Sequence, residues 1–279
     1  MNKEEQSYLD LLNNILISGD DRLDRTGVGT KSIFGTSLRF SLENNKLPML
    51  TTKKMFKKGV IEELLFFIRG ETDSKKLEAK GVNIWKGNTS REFLDKRGLH
   101  HLQEGQMGPM YGHLWRNFNG VDQLKNALHL IKTDPSSRRI MVTAYDPSLS
   151  SKSVLDPCHL FFQFYVNKGK LSCQWLQRSV DYFLGASFNI MSYSILTHLM
   201  AKASGLKAGE LIFVGGDTHL YKSHLEQAKE QISREPYEFP TIKIEKDISS
   251  IEDMEKLSLE DFVIEGYQSH PAIKAEMAI

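Results

Sequence analysis

A cysteine followed directly by a histidine, in Asp156-Pro157-Cys158-His159, stands at the head of the apolar run Leu160 to Val166. A polar cluster, Gln177-Arg178-Ser179-Val180-Asp181, follows a short turn later. A thiol attacks as its thiolate, and a free thiol with a pKa of about 8.5 needs neighbouring positive charge or donors to reach that form at neutral pH. Arg178, expected here as a buried guanidinium, and His159 are placed to supply both. Alone, a cysteine at a strand start is a small buried hydrophobe, so the neighbours are what argue for chemistry. Cys173 lies between Leu171 and Trp175 on an alternating apolar face, lacks such neighbours and reads as core.

Further side chains could join that thiol. Glu63 shares a helical stripe with Val60, Leu64 and Phe67, so its carboxyl points inward unless Glu62 is the one turned in. A buried carboxylate is costly unless bonded or protonated, and one with a raised pKa can relay protons. Arg25 in Asp24-Arg25-Thr26-Gly27-Val28-Gly29, the pair Arg138-Arg139, and Arg178 are each ordinary surface charges taken singly. Converging on one dianion, they would form a phosphate pocket through bidentate hydrogen bonds, without the glycine-rich phosphate loops this chain lacks. Asp217-Thr218-His219-Leu220-Tyr221 follows a glycine pair at a strand end, where ligand contacts collect. Cysteine and histidine spacing matches no ligand geometry, so no metal is expected.

The elements that must position these residues are legible in part. Tyr8, Leu11, Leu12, Ile15 and Leu16 recur at helical spacing up to Gly19, and a loop is expected from Asp20 to Lys31. Leu38, Phe40 and Leu42 alternate as a strand; Val60 to Ile68 returns to helical period; a short helix is expected over Glu92 to Lys96 and a longer one over Gly120 to Lys132. Ile140, Val142 and Ala144 alternate as a strand. Leu160 to Val166 and Leu171 to Trp175 form a hairpin through Asn167-Lys168-Gly169, Ile190 to Ala203 is a strongly apolar helix, and Glu210 to Val214 is a strand. Helices and strands are mixed without a βαβ rhythm.

Composition narrows the class. The 279 residues can bury a large core, 25% are charged, and the formal charge is +1, so no global basic field argues for a nucleic-acid or membrane partner. Two cysteines are too few for a disulfide framework, and Met1-Asn2-Lys3-Glu4-Glu5 lacks the apolar core of a signal peptide, so a cytoplasmic protein is expected. No apolar stretch approaches the roughly 20 residues needed to span a bilayer.

Taken together, Asp24-Arg25-Thr26-Gly27, Glu63-Leu64-Leu65, Ile84-Trp85, Gly108-Pro109 with Tyr111-Gly112, Ser137-Arg138-Arg139, Pro157-Cys158-His159, Gln177-Arg178-Ser179, Phe188-Asn189-Ile190, Gly216-Asp217-Thr218-His219-Leu220-Tyr221 and Ile264-Glu265-Gly266-Tyr267 closely resemble the thymidylate synthase family across essentially the whole chain. The resemblance implies a mixed α/β fold over residues 1–279 as one domain, with helices around a large twisted sheet whose outer face meets the same sheet in a second copy. It implies a homodimer that methylates dUMP to dTMP with 5,10-methylenetetrahydrofolate as co-substrate, yielding dihydrofolate.

Carried onto this chain, the family's roles fall residue by residue. Cys158 is the nucleophile; Glu63, Tyr111 and His159 organise water and protons; Arg178 and Asn189 complete the catalytic set. Arg25, Arg178 and Ser179 hold the nucleotide phosphate, with Arg138 and Arg139 donated by the partner subunit. Gln177, Asp181 and Asn189 face the nucleotide, where an amide at Asn189 suits uracil because it both donates and accepts. His219 and Tyr221 bond the sugar hydroxyl. Ile84, Trp85, Leu155, Asp181, Leu184, Gly185, Phe188 and Ala278 line the folate side, and the carboxylate of Ile279 closes over it. The departures from the family pattern cluster there too: Lys86, Asp156, Trp175-Leu176, Val180 and Tyr182. Two alternatives therefore stand beside methylation: a dUMP hydroxymethylase of the same fold, which lets water quench the methylene, and a nucleotide-binding protein without turnover.

Overall fold

Helix α1 (Lys3–Ser18) begins where the Asn2 side chain accepts the Glu5 N–H, and it ends at Gly19. Its buried stripe is Tyr8, Leu9, Leu12 and Ile15. The computed structural model describes residues 2–276, so the expectations for Ala278 and Ile279 lie outside the described residues. The stretch expected as a loop contains a short edge strand, β1 (Asp20–Arg22), paired antiparallel with β2 (Thr30–Ser41). Helices α2 (Lys57–Ile68), α3 (Lys75–Glu78), α4 (Arg91–Lys96), α5 (Tyr111–Arg116) and α6 (Gln123–Thr133) follow, then strand β3 (Met141–Thr143). Strands β4 (His159–Asn167) and β5 (Lys170–Asp181) form the expected hairpin, with Lys168 and Gly169 both at positive φ, the backbone a two-residue turn of this twist requires.

Helix α7 (Gly185–Ala203) starts five residues before the apolar run that announces it, so Phe188 and Asn189 sit on its first turns. It leads into β6 (Lys207–Tyr221), followed by α8 (Leu225–Ile232), β7 (Thr241–Ile244), α9 (Ile251–Glu255) and β8 (Phe262–Glu265). The main sheet has six strands in the order β1-β2-β6-β5-β4-β3, and its one parallel pair is β5 with β6. Because α7 connects them, β5-α7-β6 is a βαβ unit that the sequence pattern did not announce: α7 is apolar on nearly every side and its period carries no face. Strand β6 also runs seven residues beyond the expected Val214, so His219 and Tyr221 are strand residues. A Cβ at Gly216 would lie 2.7 Å from the Arg178 carbonyl, so glycine there lets β6 keep its register beside β5.

One face of the sheet buries Phe162, Phe164, Cys173, Trp175, Leu211 and Phe213 beside α7. Each fully buried side chain of this size is worth about 1.5–3 kcal/mol. Along the strands the alternate residues Phe161, Tyr165, Leu176, Ile212 and Val214 lie on the other face and stay half-buried or exposed.

Candidate active site

The chemistry collects where the carboxyl ends of the parallel pair β5 and β6 meet the start of β4 and the first turns of α7. Cys158 immediately precedes β4, whose register is irregular between His159 and Phe161. Its backbone is held from two directions. The Cys158 N–H donates to the Tyr111 hydroxyl at 2.8 Å, and the Cys158 carbonyl accepts the Arg178 N–H at 2.9 Å. The Arg178 guanidinium donates to the carbonyls of Pro157 (3.0 Å) and Asp156 (2.8 Å). Tyr111 is set by α5 crossing α2, where Gly112 allows an approach that would bring a Cβ within 2.9 Å of the Glu71 carbonyl.

Two electrostatic expectations change. Arg178 is exposed, not buried, and reaches the loop from the solvent side. His159 is neutral: burial pushes its pKa down to about 4, against the bond the ring donates to Asn189, and its Nδ1 meets the Tyr193 hydroxyl at 3.3 Å. It therefore supplies no positive charge to the thiol. For Cys158, burial raises the pKa while Arg178 and then Arg25 lower it and Asp156 raises it slightly. Part of the residue reaches solvent, yet the thiol group itself sits deep among protein atoms, and burial prevails.

Glu63 resolves the choice between neighbouring glutamates. Glu62 is only 6% exposed but pairs with Lys80 at 2.5 Å, away from the thiol. Glu63 accepts the Trp85 indole N–H at 2.7 Å, and burial of its carboxyl, partly offset by that bond, pushes its pKa up to about 7. Trp85 and Tyr111 rings lie 6.2 Å apart, so Glu63, Trp85 and Tyr111 form one wall leading to Cys158.

On the opposite wall, Asn189 Nδ2 donates to Gln177 Oε1 at 3.0 Å, Gln177 Nε2 donates to the Ser179 carbonyl at 3.1 Å, and the buried Trp175 indole donates to Gln177 Oε1 at 3.4 Å. This chain fixes the Asn189 amide with its donor pointed at Gln177. Asp217 aligns His219 through Nδ1 at 3.1 Å and is itself bonded by Ser32 and Arg22. His219 and Tyr221 rings meet edge to face at 5.2 Å. Asp181 accepts the Leu184 N–H at 3.1 Å, tying the Asp181 carboxylate to the start of α7 beside Gly185. Ile84, Trp85, Leu155, Leu184 and Phe188 are half-buried apolar residues packed on the core.

Arg25 is exposed on a loop closed by Asp24, which accepts from Thr26 and from the Gly29 N–H. Arg138 and Arg139 do not join this group. They precede β3, whose Met141 pairs with Gln163, and Gln163 Nε2 donates to the Arg138 carbonyl at 3.0 Å. At ~3.3 Å per strand residue, that register sets them roughly 20 Å from Cys158. Both are exposed.

Residues that sequence reasoning passed over are Tyr193, Asp217 as the aligner of His219, and Lys53. Tyr193 lies four residues after Asn189 and so on the same helical face, a usable signal. Lys53 has none: burial pushes its pKa down to about 8 against the Asp181 charge, its ammonium donates to the Phe183 carbonyl, and it lies 4.1 Å from the Phe183 ring centre. A cavity of about 460 Å³ is lined by Leu42, His198, Lys202 and Ile244 and includes none of these site residues. No group of acidic, histidine or cysteine side chains among the described residues could hold a metal ion, and no helix there is long and apolar enough to cross a membrane.

A family model for thymidylate synthase matches residues 6–279. The chain is 46% identical over its whole length to the thymidylate synthase of Saccharomyces cerevisiae, covering 98% of that protein. It is 47% identical to that of human herpesvirus 8, with 99% of this chain and 85% of the relative covered. It is 48% identical to the bifunctional dihydrofolate reductase-thymidylate synthase of Leishmania major, and spans about half (56%) of that longer protein. With a family match over nearly every residue and the yeast relative covered almost end to end, the chain belongs to the thymidylate synthase family.

Proposed function

We propose that this chain methylates dUMP to dTMP using 5,10-methylenetetrahydrofolate and releases dihydrofolate. One observation carries the reading: the backbone-clamped Cys158 lies beside the Asn189–Gln177 amide chain, a nucleophile next to a reader of the uracil edge. Cys158 Sγ adds to C6 of the ring and makes C5 nucleophilic. Asn189, with its amide oriented by Gln177, pairs with the uracil edge; a cytosine would present the wrong donor. Arg25, Arg178 and Ser179 hold the phosphate, and His219 and Tyr221 the sugar hydroxyl. Glu63, half protonated near neutral pH, exchanges protons with the base through water, and Tyr111 lies beside it to assist removal of the C5 proton.

The folate side fits its ligand. A planar pterin carrying N–H donors suits a slot with the flat Trp85 ring and half-buried Leu184 and Phe188 on its walls and the Asp181 carboxylate as acceptor. When bound, the folate supplies the methylene carbon and then the hydride. Three of the family departures, Tyr182, Trp175 and Asp156, are engaged within the protein, which favours hydride over water. Tyr182 is buried and exchanges reciprocal hydrogen bonds with Tyr8, at 3.1 and 2.8 Å. Trp175 is buried and stacked on Tyr193 at 5.0 Å, and the Asp156 carboxylate is engaged by Ser150. Product analysis decides: dUMP should give dTMP with the near-ultraviolet absorbance rise of dihydrofolate formation, and dCMP should be a poor substrate. A product heavier than dTMP by one oxygen, with no such rise, would mean hydroxymethylation.

A homodimer completes the phosphate site. Phe161, Tyr165, Leu176, Ile212 and Val214 leave one sheet face apolar and uncovered, which suits a second copy of the same sheet, and Arg138 and Arg139 lie too far from Cys158 to serve their own chain. Mixing an inactive Cys158→Ser protein with an inactive Arg139→Ala protein, under conditions shown to exchange subunits, should restore about a quarter of full activity, since half the dimers are hybrids with one intact site. Zero recovery would place the phosphate grip within one chain.

A further inference from the structure

His224 lies between α8 and the end of β6, is 1% exposed, and takes no part in the chemistry above. Its ring packs 5.6 Å from that of Phe183, beside the folate-side Asp181, and 5.8 Å from that of Tyr221, which faces the sugar. Its Nε2 lies 2.7 Å from the Glu276 carbonyl, which can only accept, so Nε2 carries the proton. Its Nδ1 is buried without a partner among the described residues. A phenylalanine would fill the same apolar slot without that unmet polar atom, so what the imidazole adds is the Nε2–H offered to the tail.

The tail needs such a point. The chain from Gln268 to Glu276 has no helix or strand. It is pinned early, where the His270 N–H donates to the Thr51 carbonyl at 2.8 Å and Arg234 donates to the Pro271 carbonyl at 2.7 Å. Beyond that, Ile273 and Ala275 offer only partial apolar packing. We propose that His224 is a positioning residue that seats the carboxyl-terminal segment against the nucleotide and folate walls, and that methyl transfer depends on its Nε2–H. The proposal rests on the methylation reading for its kinetic consequence, and on the hydrogen bond alone for the seating of the tail.

The test compares His224→Phe with His224→Gln, whose side-chain N–H can reach where Nε2 stands. In the ligand-free protein, carboxypeptidase should trim the tail of His224→Phe about three- to tenfold faster than the parent, the range one neutral hydrogen bond supports. The kcat for methylation should fall by a similar factor while dUMP affinity stays within about twofold, and His224→Gln should recover most of both losses. Parent-like trimming of the Phe variant, equal impairment of Phe and Gln, or dUMP affinity falling in step with kcat would overturn the role. In the unsubstituted chain, nitrogen NMR should find the Nε2–H tautomer with a slowly exchanging proton; the Nδ1–H tautomer would overturn it without any variant. If the parent makes no dTMP, the methylation reading fails, and the trimming rates still decide the anchor.

Discussion

Replacing Cys158 by serine should remove turnover by roughly four orders of magnitude or more, the scale seen when a covalent nucleophile is lost. A serine hydroxyl would keep the backbone clamp, because Tyr111 and Arg178 bind the main chain and not the sulfur. Binding of dUMP should therefore persist while covalent trapping by 5-fluoro-dUMP with folate disappears. Cys173→Ser is the matched control. That thiol is fully buried among Leu171, Trp175 and Phe164, and burial pushes its pKa up to about 12, so it is inert at neutral pH. Its serine variant should trap normally and lose only stability, by about 0.5–2 kcal/mol, since the hydroxyl enters a buried site where Thr197 already bonds the thiol. Trapping that survives Cys158→Ser, or vanishes with Cys173→Ser, would assign the nucleophile wrongly.

The second large effect is expected at Glu63. Glu63→Gln keeps an acceptor for the Trp85 indole but cannot exchange a proton, so kcat should fall about 10²- to 10⁴-fold, and the inflection near pH 7 in the rate profile should vanish. Stability should move the other way. The folded pKa, about 7, lies above the ordinary value of 4.5, so the native state holds this proton more tightly than the unfolded chain. Any stability due to this group is fully present below about pH 4.5 and is lost as pH rises to 7. Glu63→Gln escapes that loss and should exceed the parent at pH 8 by about 1–3 kcal/mol, a figure discounted because the residue keeps some solvent contact. Denaturant titration at pH 4 and pH 8 checks the sign; a variant less stable than the parent at pH 8, or one with unchanged kcat, would remove the proton-relay role.

Much of this molecule was legible in its sequence because the signals were local. The Asn167-Lys168-Gly169 turn is marked by a glycine that takes positive φ freely, the α1 stripe repeats within one helix, and Cys173 alternates with Leu171 and Trp175 along one strand. Cys158 stood out because Pro157 and His159 flank it in the chain, whereas Asn189 was named only by the family resemblance, since its partners Gln177 and His159 lie far from it in the chain. The start of α7 and the length of β6 were less legible, since polar and glycine residues at Gly185, Asn189 and Gly215-Gly216 obscure regular elements that tertiary packing sustains.

Residue types and spacing along the chain name the cast: a thiol, an amide reader, one inward carboxyl of a neighbouring pair, and arginines for an anion. Their states follow from the folded arrangement. Consecutive residues of a helix point about 100° apart, so which of Glu62 and Glu63 faces the thiol depends on how α2 docks, and docking turns Glu62 to Lys80 and Glu63 to Trp85. The charge of His159 was set by burial among Tyr111, Tyr193 and Asn189, residues distant in the chain, which leaves it neutral where its sequence position beside a cysteine suggested a cation. The separation of Arg138 and Arg139 from Cys158 follows from a strand register, and the bond from His224 to Glu276 joins residues 52 positions apart. Charge state and convergence depend on what surrounds a group in three dimensions, and that surrounding is assembled only when the sheet closes.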